Sequence, residues 1–359
     1  MVRLKLNLPR IGRGVFLNNK QAPFDDKLWN EASSNIGKPR IAILGFTGAG
    51  KSMLVNALFG EAIASVNARA GWTRIPQFIE HRLFELIDTP GFGADGWVVD
   101  EFDRKIIEPS DIVVHVINGA SGVTDYDMDM QKVINRHPGL VIVLNKIDIL
   151  DSVELNESLE GIASAMSIPK TKVISVSAKN GSGIEGLAAE MTRLLPDVKK
   201  TSFVSSLSGE GFTETRKLLA VKVVDSYAIC AAAIGVVPIP LADIAALAPL
   251  QVAMFLHVAK TFGHFYTKKQ ALAIIASLMG SIGARSIAQA TVSIFKSIPG
   301  IGTVLGAVAG GGMAHATFKA FGALVIYYFS NNQEVSPADI RGYYNRQYEE
   351  ARKKYKKKR

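Results

Sequence analysis

Gly45-Phe-Thr-Gly-Ala-Gly-Lys51-Ser52 matches the pattern Gly-x-x-x-x-Gly-Lys-Ser in full, and its surroundings decide the fold. Arg40 to Leu44 before it is a short apolar run of the kind that forms a buried strand, and Lys51 to Phe59 after it reads as a helix. A glycine-rich turn between strand and helix lets backbone N–H groups point inward around phosphate oxygens, and the helix N-terminus adds a favourable dipole. Lys51 then neutralises the outer phosphates and the Ser52 hydroxyl offers an oxygen ligand to magnesium. The phosphate cradle comprises Gly45, Thr47, Gly48, Ala49, Gly50, Lys51, Ser52 and Met53.

Working outward, Asp88-Thr-Pro-Gly91 lies 43 residues after Gly45, at the end of an apolar run from Leu83 to Ile87. A strand there delivers Asp88 beside the phosphates, where it holds magnesium through water, and the Gly91 amide senses the outermost phosphate. Asn145-Lys146-Ile147-Asp148 follows another run, Leu140 to Leu144, 57 residues after Asp88. A carboxylate at Asp148 accepts two hydrogen bonds from guanine, a pair adenine lacks, and a buried polar group left unpaired makes discrimination steep. Ser177-Ala178-Lys179, 32 residues after Asn145, fits a loop whose Ala178 amide meets the guanine oxygen. Each motif alone is a common turn; their order on successive strand ends points to GTP and GDP with Mg2+.

Ile75 to Glu80 and Leu83 to Asp88 read as a hairpin, and Ile112 to Ile117 and Val173 to Val176 as further strands. Helices fit near Val99 to Ile107, Asp125 to Arg136, Leu155 to Met166 and Gly183 to Leu195. Strands alternating with helices predict an α/β domain with a mostly parallel sheet covered on both faces. In such sheets ligands bind at the carboxyl ends of strands, where all four motifs fall.

Over Lys38 to Leu195 these motifs resemble the Era-like branch of the translation-factor-class GTPases, which implies a six-stranded GTPase domain. The variant loop Thr47-Gly-Ala-Gly-Lys-Ser is similar to that of immunity-related and septin-like GTPases, which implies pairing of two copies through their nucleotide faces. Gly71-Trp-Thr73-Arg74 resembles the first switch of the family, which makes Thr73 a magnesium ligand and, with Lys51, a catalytic candidate. Two positions depart from relatives. Phe92 stands after Gly91 where many small GTPases place a water-orienting glutamine, and Gly48 replaces the asparagine of potassium-activated members. Slow intrinsic hydrolysis is expected, with the missing group supplied by a partner or second copy.

The pattern breaks at 197–211 into Lys, Ser, Thr and Gly, a linker composition. From there to Phe329 the chain is rich in Ala, Ile, Val and Gly with few charges, which predicts an all-α domain whose helices are apolar nearly all round. Ala231-Ala-Ala-Ile-Gly-Val-Val-Pro-Ile-Pro240-Leu-Ala-Asp243 and Gln251 resemble the hydrophobic YcjF-type domain that follows such GTPase domains. This region also matches itself at an offset of 59 residues, with Met254 on Met313 and Lys260, Phe262 and Gly263 on Lys319, Phe321 and Gly322. Coincidence in an Ala/Gly-rich composition and a duplicated helical hairpin both fit. The expected organisation is an extension at 1–37, a GTPase domain at 38–196, a linker at 197–211, a helical domain at 212–335 and a polybasic tail at 336–359.

The net charge of +9 sits mostly in that tail, where Arg341 to Arg359 holds nine Lys/Arg against Glu349 and Glu350. Such a run meets anionic lipid, RNA or water. No RNA-binding signature follows Leu195, so RNA is the weaker partner. Apolar stretches such as Ser226 to Ala242 are broken by proline or Asp243, short of the about twenty residues of a spanning helix. A soluble bundle and a hairpin dipping into lipid both remain open. The expected localisation is cytoplasmic, peripheral to or hairpin-inserted at the cytoplasmic face of a membrane. The single cysteine, Cys230, excludes an internal disulfide framework, and the six histidines show no metal-ligand spacing.

Overall fold

A computed structural model describes residues 37–60, 77–88, 106–235, 242–282 and 307–357. They divide into two compact units, which separate between Thr215 and Arg216. The first holds strands β1 (Arg40–Leu44), β2 (Gln77–Glu80), β3 (Glu85–Asp88), β4 (Ile112–Asn118), β5 (Leu140–Asn145) and β6 (Val173–Ser175). Between and after them run helices α1 (Lys51–Phe59), α2 (Asp125–Ile134), α3 (Ser152–Met166), α4 (Ile184–Leu194) and α5 (Asp197–Ser206). The sheet order is β2-β3-β1-β4-β5-β6. Only the β2–β3 pair is antiparallel, and β1, β3, β4, β5 and β6 run parallel.

The central strands are apolar because they are covered on both faces. Ile41, Ala42, Ile43 and Leu44 of β1 and Val113, Val114, Val116 and Ile117 of β4 are fully buried. One layer packs Ala42, Leu44 and Val113 against Met130 and Ile134 of α2, and another packs Ile117, Ile142 and Leu144 against Ile162 and Met166 of α3. Parallel pairing puts the carboxyl ends of β1, β3, β4 and β5 along one side of the sheet. Asp88 ends β3 opposite Ile43, and Asn145 ends β5 opposite Asn118.

The segment read as a linker begins instead with α5, a helix of this unit. Phe203 and Val204 are fully buried, and the Phe203 ring meets Phe59 edge-on at 6.1 Å. Lys199 pairs with Asp111 at 2.6 Å, and the Ser208 amide donates to the Leu58 carbonyl at 2.9 Å. Its polar composition misled because Ser205 and Ser206 return their hydroxyls to the carbonyls of Thr201 and Phe203. That satisfies buried hydroxyls without water.

The second unit is helical: α6 (Thr213–Ile234, which starts at the boundary), α7 (Ala242–Thr261), α8 (Lys268–Ile282), α9 (Ala307–Ser330) and α10 (Pro337–Lys357). Its core is continuous, from Val224 and Ala228 of α6 through Met254, Phe255 and Val258 of α7 to Phe318, Phe321 and Val325 of α9. Gly322 permits close approach of α6 to α9, since a Cβ there would lie 2.4 Å from Val224 Cγ1. Most of the polybasic segment is α10, a helix that packs on the unit. Ile340, Tyr344 and Ala351 are buried, and Tyr343 stacks on Tyr327 with centroids 4.4 Å apart. The 59-residue offset is not a structural duplication where both copies are described. Gly263 follows α7 at a φ of 83°, whereas Gly322 lies inside α9. None of the described helices is long and apolar enough to cross a membrane.

Candidate nucleotide site

The loop between β1 and α1 is built on two glycines that no other residue replaces. Gly45 has a φ of 149°, and a Cβ there would lie 2.4 Å from the Val116 carbonyl oxygen. Gly50 caps α1 in the left-handed region at a φ of 91°, and its Cβ would lie 2.4 Å from Asn145 Nδ2. An L side chain at either position meets strain and a clash together. Gly48 also has a positive φ, 81°, in open space. Thr47 and Gly48 are exposed while Ala49 is buried. The Lys51 ammonium donates to the Gly45 carbonyl at 2.7 Å and the Phe46 carbonyl at 3.3 Å, which holds a cation at the loop. Ser52 and Met53 are exposed in the first turn of α1.

Asn145 joins this loop to the other motifs. Its side chain is buried, with Nδ2 donating to the Ala49 carbonyl at 2.9 Å. Its Oδ1 accepts from the Ala178 amide at 3.0 Å. One residue at the end of β5 thus ties the loop after β1 to the loop after β6, across β4. Gly119 makes room for it, because a Cβ there would lie 2.9 Å from the Asn145 carbonyl oxygen, to which the Gly119 amide donates at 2.8 Å.

Lys146 takes a left-handed φ of 68°, which turns the chain out of β5 toward Asp148. Ser177 is fully buried, and its hydroxyl donates to Asp148 Oδ1 at 2.6 Å. That hydrogen bond, aided by the charges of Lys179 and Lys146, holds the Asp148 carboxyl below its ordinary range. Lys179 reaches within 3.9 Å of Asp148 Oδ2. The result is an ionised, oriented acceptor at the sheet edge of the site.

Sequence reasoning missed the support under the phosphate loop. His115 of β4 and Asp127 of α2 are buried, with Nε2 and Oδ1 2.8 Å apart. Burial pushes the Asp127 carboxyl up, but hydrogen bonds from His115 and Thr124 outweigh it and hold the group below its usual range. Next to Asp127, burial raises the Tyr126 phenol. Its ring lies 6.0 Å from Phe46 and 6.4 Å from His115. The only sequence signal was Thr124-x-x-Asp127, a capping box, which the structure contains. Thr73, Gly91 and Phe92 lie outside the described residues, and Asp88 is described through its backbone alone.

Phosphate loop, carboxylate and serine–alanine loop therefore share one sheet end, held together by a buried asparagine. The family described as "50S ribosome-binding GTPase" matches residues 40–146. The family described as "Domain of unknown function (DUF697)" matches residues 204–353. The chain belongs to the P-loop GTPases, joined to a DUF697 domain. GTPase Der of Persephonella marina is 30% identical to this P-loop GTPase over 219 residues, 55% of this chain and 48% of that protein. Magnetosome membrane protein 22 of Magnetospirillum gryphiswaldense is 31% identical over 141 residues, 38% of this chain and 72% of that protein. Among solved structures, a probable GTP-binding protein engB is 23% identical and covers 43% of this chain and 97% of that one, with a TM-score of 0.37. The chain spans less than half the length of the Der proteins it matches.

Proposed function

We propose that this protein is a guanine-nucleotide switch that binds GTP with magnesium, hydrolyses it to GDP and phosphate, and acts at a membrane surface. The observation that carries the nucleotide reading is the double hydrogen bond of Asn145, which holds the phosphate-binding and guanine-reading loops in one frame. The amides of Gly45 through Lys51 cradle the phosphates, and the Lys51 ammonium offsets the charge that builds on the outer phosphate oxygens during hydrolysis. Asp148 accepts from the guanine edge, Ala178 donates to its oxygen, and Lys146 and Lys179 flank the base.

The donors at the phosphate end suit magnesium. A hydroxyl at Ser52 and a carboxylate-bearing residue at the end of β3 are hard oxygen ligands, and the ion fills its remaining positions with water and phosphate oxygens. Ser52, Asp88 and Thr73 would hold it; when bound it draws charge from the phosphates. Phe92 carries no group that can orient water, so the proposal places that group on a partner or on a second copy meeting the nucleotide face.

Support for the membrane half is coarser. One relative is named a magnetosome membrane protein, and α10 carries a dense basic run. With no spanning helix among the described residues, peripheral attachment is the reading we adopt.

Titration calorimetry tests the nucleotide half. GTP and GDP should bind at least about a hundredfold more tightly than ATP, and Asp148→Asn should lose GTP and gain xanthosine nucleotides. Equal affinity of the wild type for GTP and ATP would remove the guanine assignment.

A further inference from the structure

The directions of the helices in the DUF697 unit decide which of their ends meet. α6 runs antiparallel to α9: near its start the charge of Lys217 acts on Tyr343, which stacks on Tyr327, whereas further along Val224 faces Gly322 and Asp225 forms an ion pair with Lys319. α10 also runs antiparallel to α9. Tyr327 stacks on Tyr343 toward one end, and toward the other the Tyr355 ring lies 5.1 Å from His315 and against Gly312. The C-terminal ends of α6 and α10 therefore flank the N-terminal end of α9, at one end of the unit.

That end combines two kinds of surface. Arg352, Lys353 and Lys354 are exposed on α10, and Lys356 and Lys357 follow in the chain. Within about two turns this makes five cations, of which Arg352 pairs with Glu349 at 3.6 Å while Lys353 and Lys354 stay exposed. The face of α10 that packs inward is used by Tyr344 and Ala351, so the charged face is free of the core. On α6, one turn beyond Asp225, Ile229 is 65% exposed. At the other end of the unit the cations are dispersed. Lys217, Lys268, Lys269 and Arg341 lie on three helices, with Glu334 and Asp339 among them.

We infer that the end of the helical unit at which α10 finishes docks on an anionic lipid surface, with Lys353 and Lys354 among its first contacts. The inference rests on the membrane half of the proposed function and names the part of the molecule that carries it. A dense basic cluster gains from every anionic headgroup within a Debye length. An apolar side chain such as Ile229 enters the headgroup layer, where a phosphate backbone alone would have no use for it. The Lys353 and Lys354 side chains point to solvent, so reversing their charge alters the surface and leaves the tyrosine packing in place.

The test is flotation of the full chain with vesicles of phosphatidylcholine alone and of phosphatidylcholine with phosphatidylglycerol, at low and high salt. The wild type should float with the anionic vesicles, and the double variant Lys353→Glu, Lys354→Glu should lose more than about tenfold in capture. The control Lys268→Glu, Lys269→Glu, at the opposite end, should float as the wild type does. Circular dichroism and melting should match for all three proteins. Loss of capture in the control pair but not in the α10 pair would overturn the docking end while leaving membrane association intact. Undiminished flotation of both pairs would overturn it as well. A wild type that never floats would remove the membrane reading itself. RNA retention that depends on Lys353 and Lys354, without flotation, would assign this end to nucleic acid and overturn the inference.

Discussion

His115 Nε2 lies 2.8 Å from Asp127 Oδ1, with both side chains removed from solvent, so the strand beside β1 is locked to the first turn of α2. Asp127 accepts in addition from the Thr124 amide at 2.9 Å and the Thr124 hydroxyl at 2.7 Å, and its neighbour Tyr126 lays its ring 6.0 Å from Phe46 of the phosphate loop. Removing the imidazole leaves a buried carboxylate short of one donor. His115→Ala should therefore destabilise the GTPase unit by about 2–3 kcal/mol, read as a lower urea midpoint. A loss below about 0.5 kcal/mol would make the pair a bystander.

Asn145 is the other long-range tie. Asn145→Ala strands the Ala49 carbonyl and the Ala178 amide, each worth about 1–3 kcal/mol when buried unpaired. GTP and GDP affinity should fall at least about tenfold. Gly50→Ala should have the same effect from the opposite partner, because its methyl would occupy the space of Asn145 Nδ2. Calorimetry showing normal nucleotide affinity in both variants would refute the tie.

Hydrolysis should depend on protein concentration. Phe92 stands after Gly91 where many small GTPases place a glutamine, and on the proposed reading a second copy supplies the missing group, so specific activity should rise as copies meet. Phe92→Ala should change the basal rate little, whereas Lys51→Ala should lower nucleotide affinity. A flat specific activity over a wide concentration range would argue against a group supplied by a second copy.

Cutting the chain after Asn345 should damage the helical unit. It removes Tyr348, Ala351 and Tyr355, which complete the packing of α10 on α9. The melting temperature of that unit should fall by more than about 5 °C. An unchanged melting curve would show that this part of α10 adds nothing to the stability of the unit.

His257 should make the helical unit sensitive to mild acid. Burial, helped by the charge of Lys260, pushes its imidazole down to about 4, below the ordinary value of 6.5 that it regains on unfolding. Between those values the unfolded chain binds the proton and the folded chain does not. Stability is therefore complete above about pH 6.5 and declines as pH falls toward 4. His257→Gln should flatten this part of the profile. Parallel pH dependence in variant and wild type would place the sensitivity elsewhere.

Much of the loop geometry at the candidate site was legible because it is local. A loop of eight residues from Gly45 to Ser52 contains its own amides, lysine and hydroxyl, and strand β1 before it is apolar because it is buried on both faces. The parallel sheet followed from the same logic, since alternating strands and helices leave few other ways to cover apolar faces.

What the sequence by itself determined, then, was the nucleotide chemistry and the α/β class, each encoded in residues adjacent along the chain. Only tertiary structure decided that Asn145 bonds to Ala49, 96 residues away, that His115 meets Asp127, and that 197–206 and 337–357 are packed helices. Those outcomes depend on which element lies against a side chain. Lys199 reads as solvated until Asp111 stands beside it, and Tyr344 as part of a charged tail until α9 covers it. The physical reason is that burial belongs to a pair of surfaces, whereas a motif belongs to one segment of backbone.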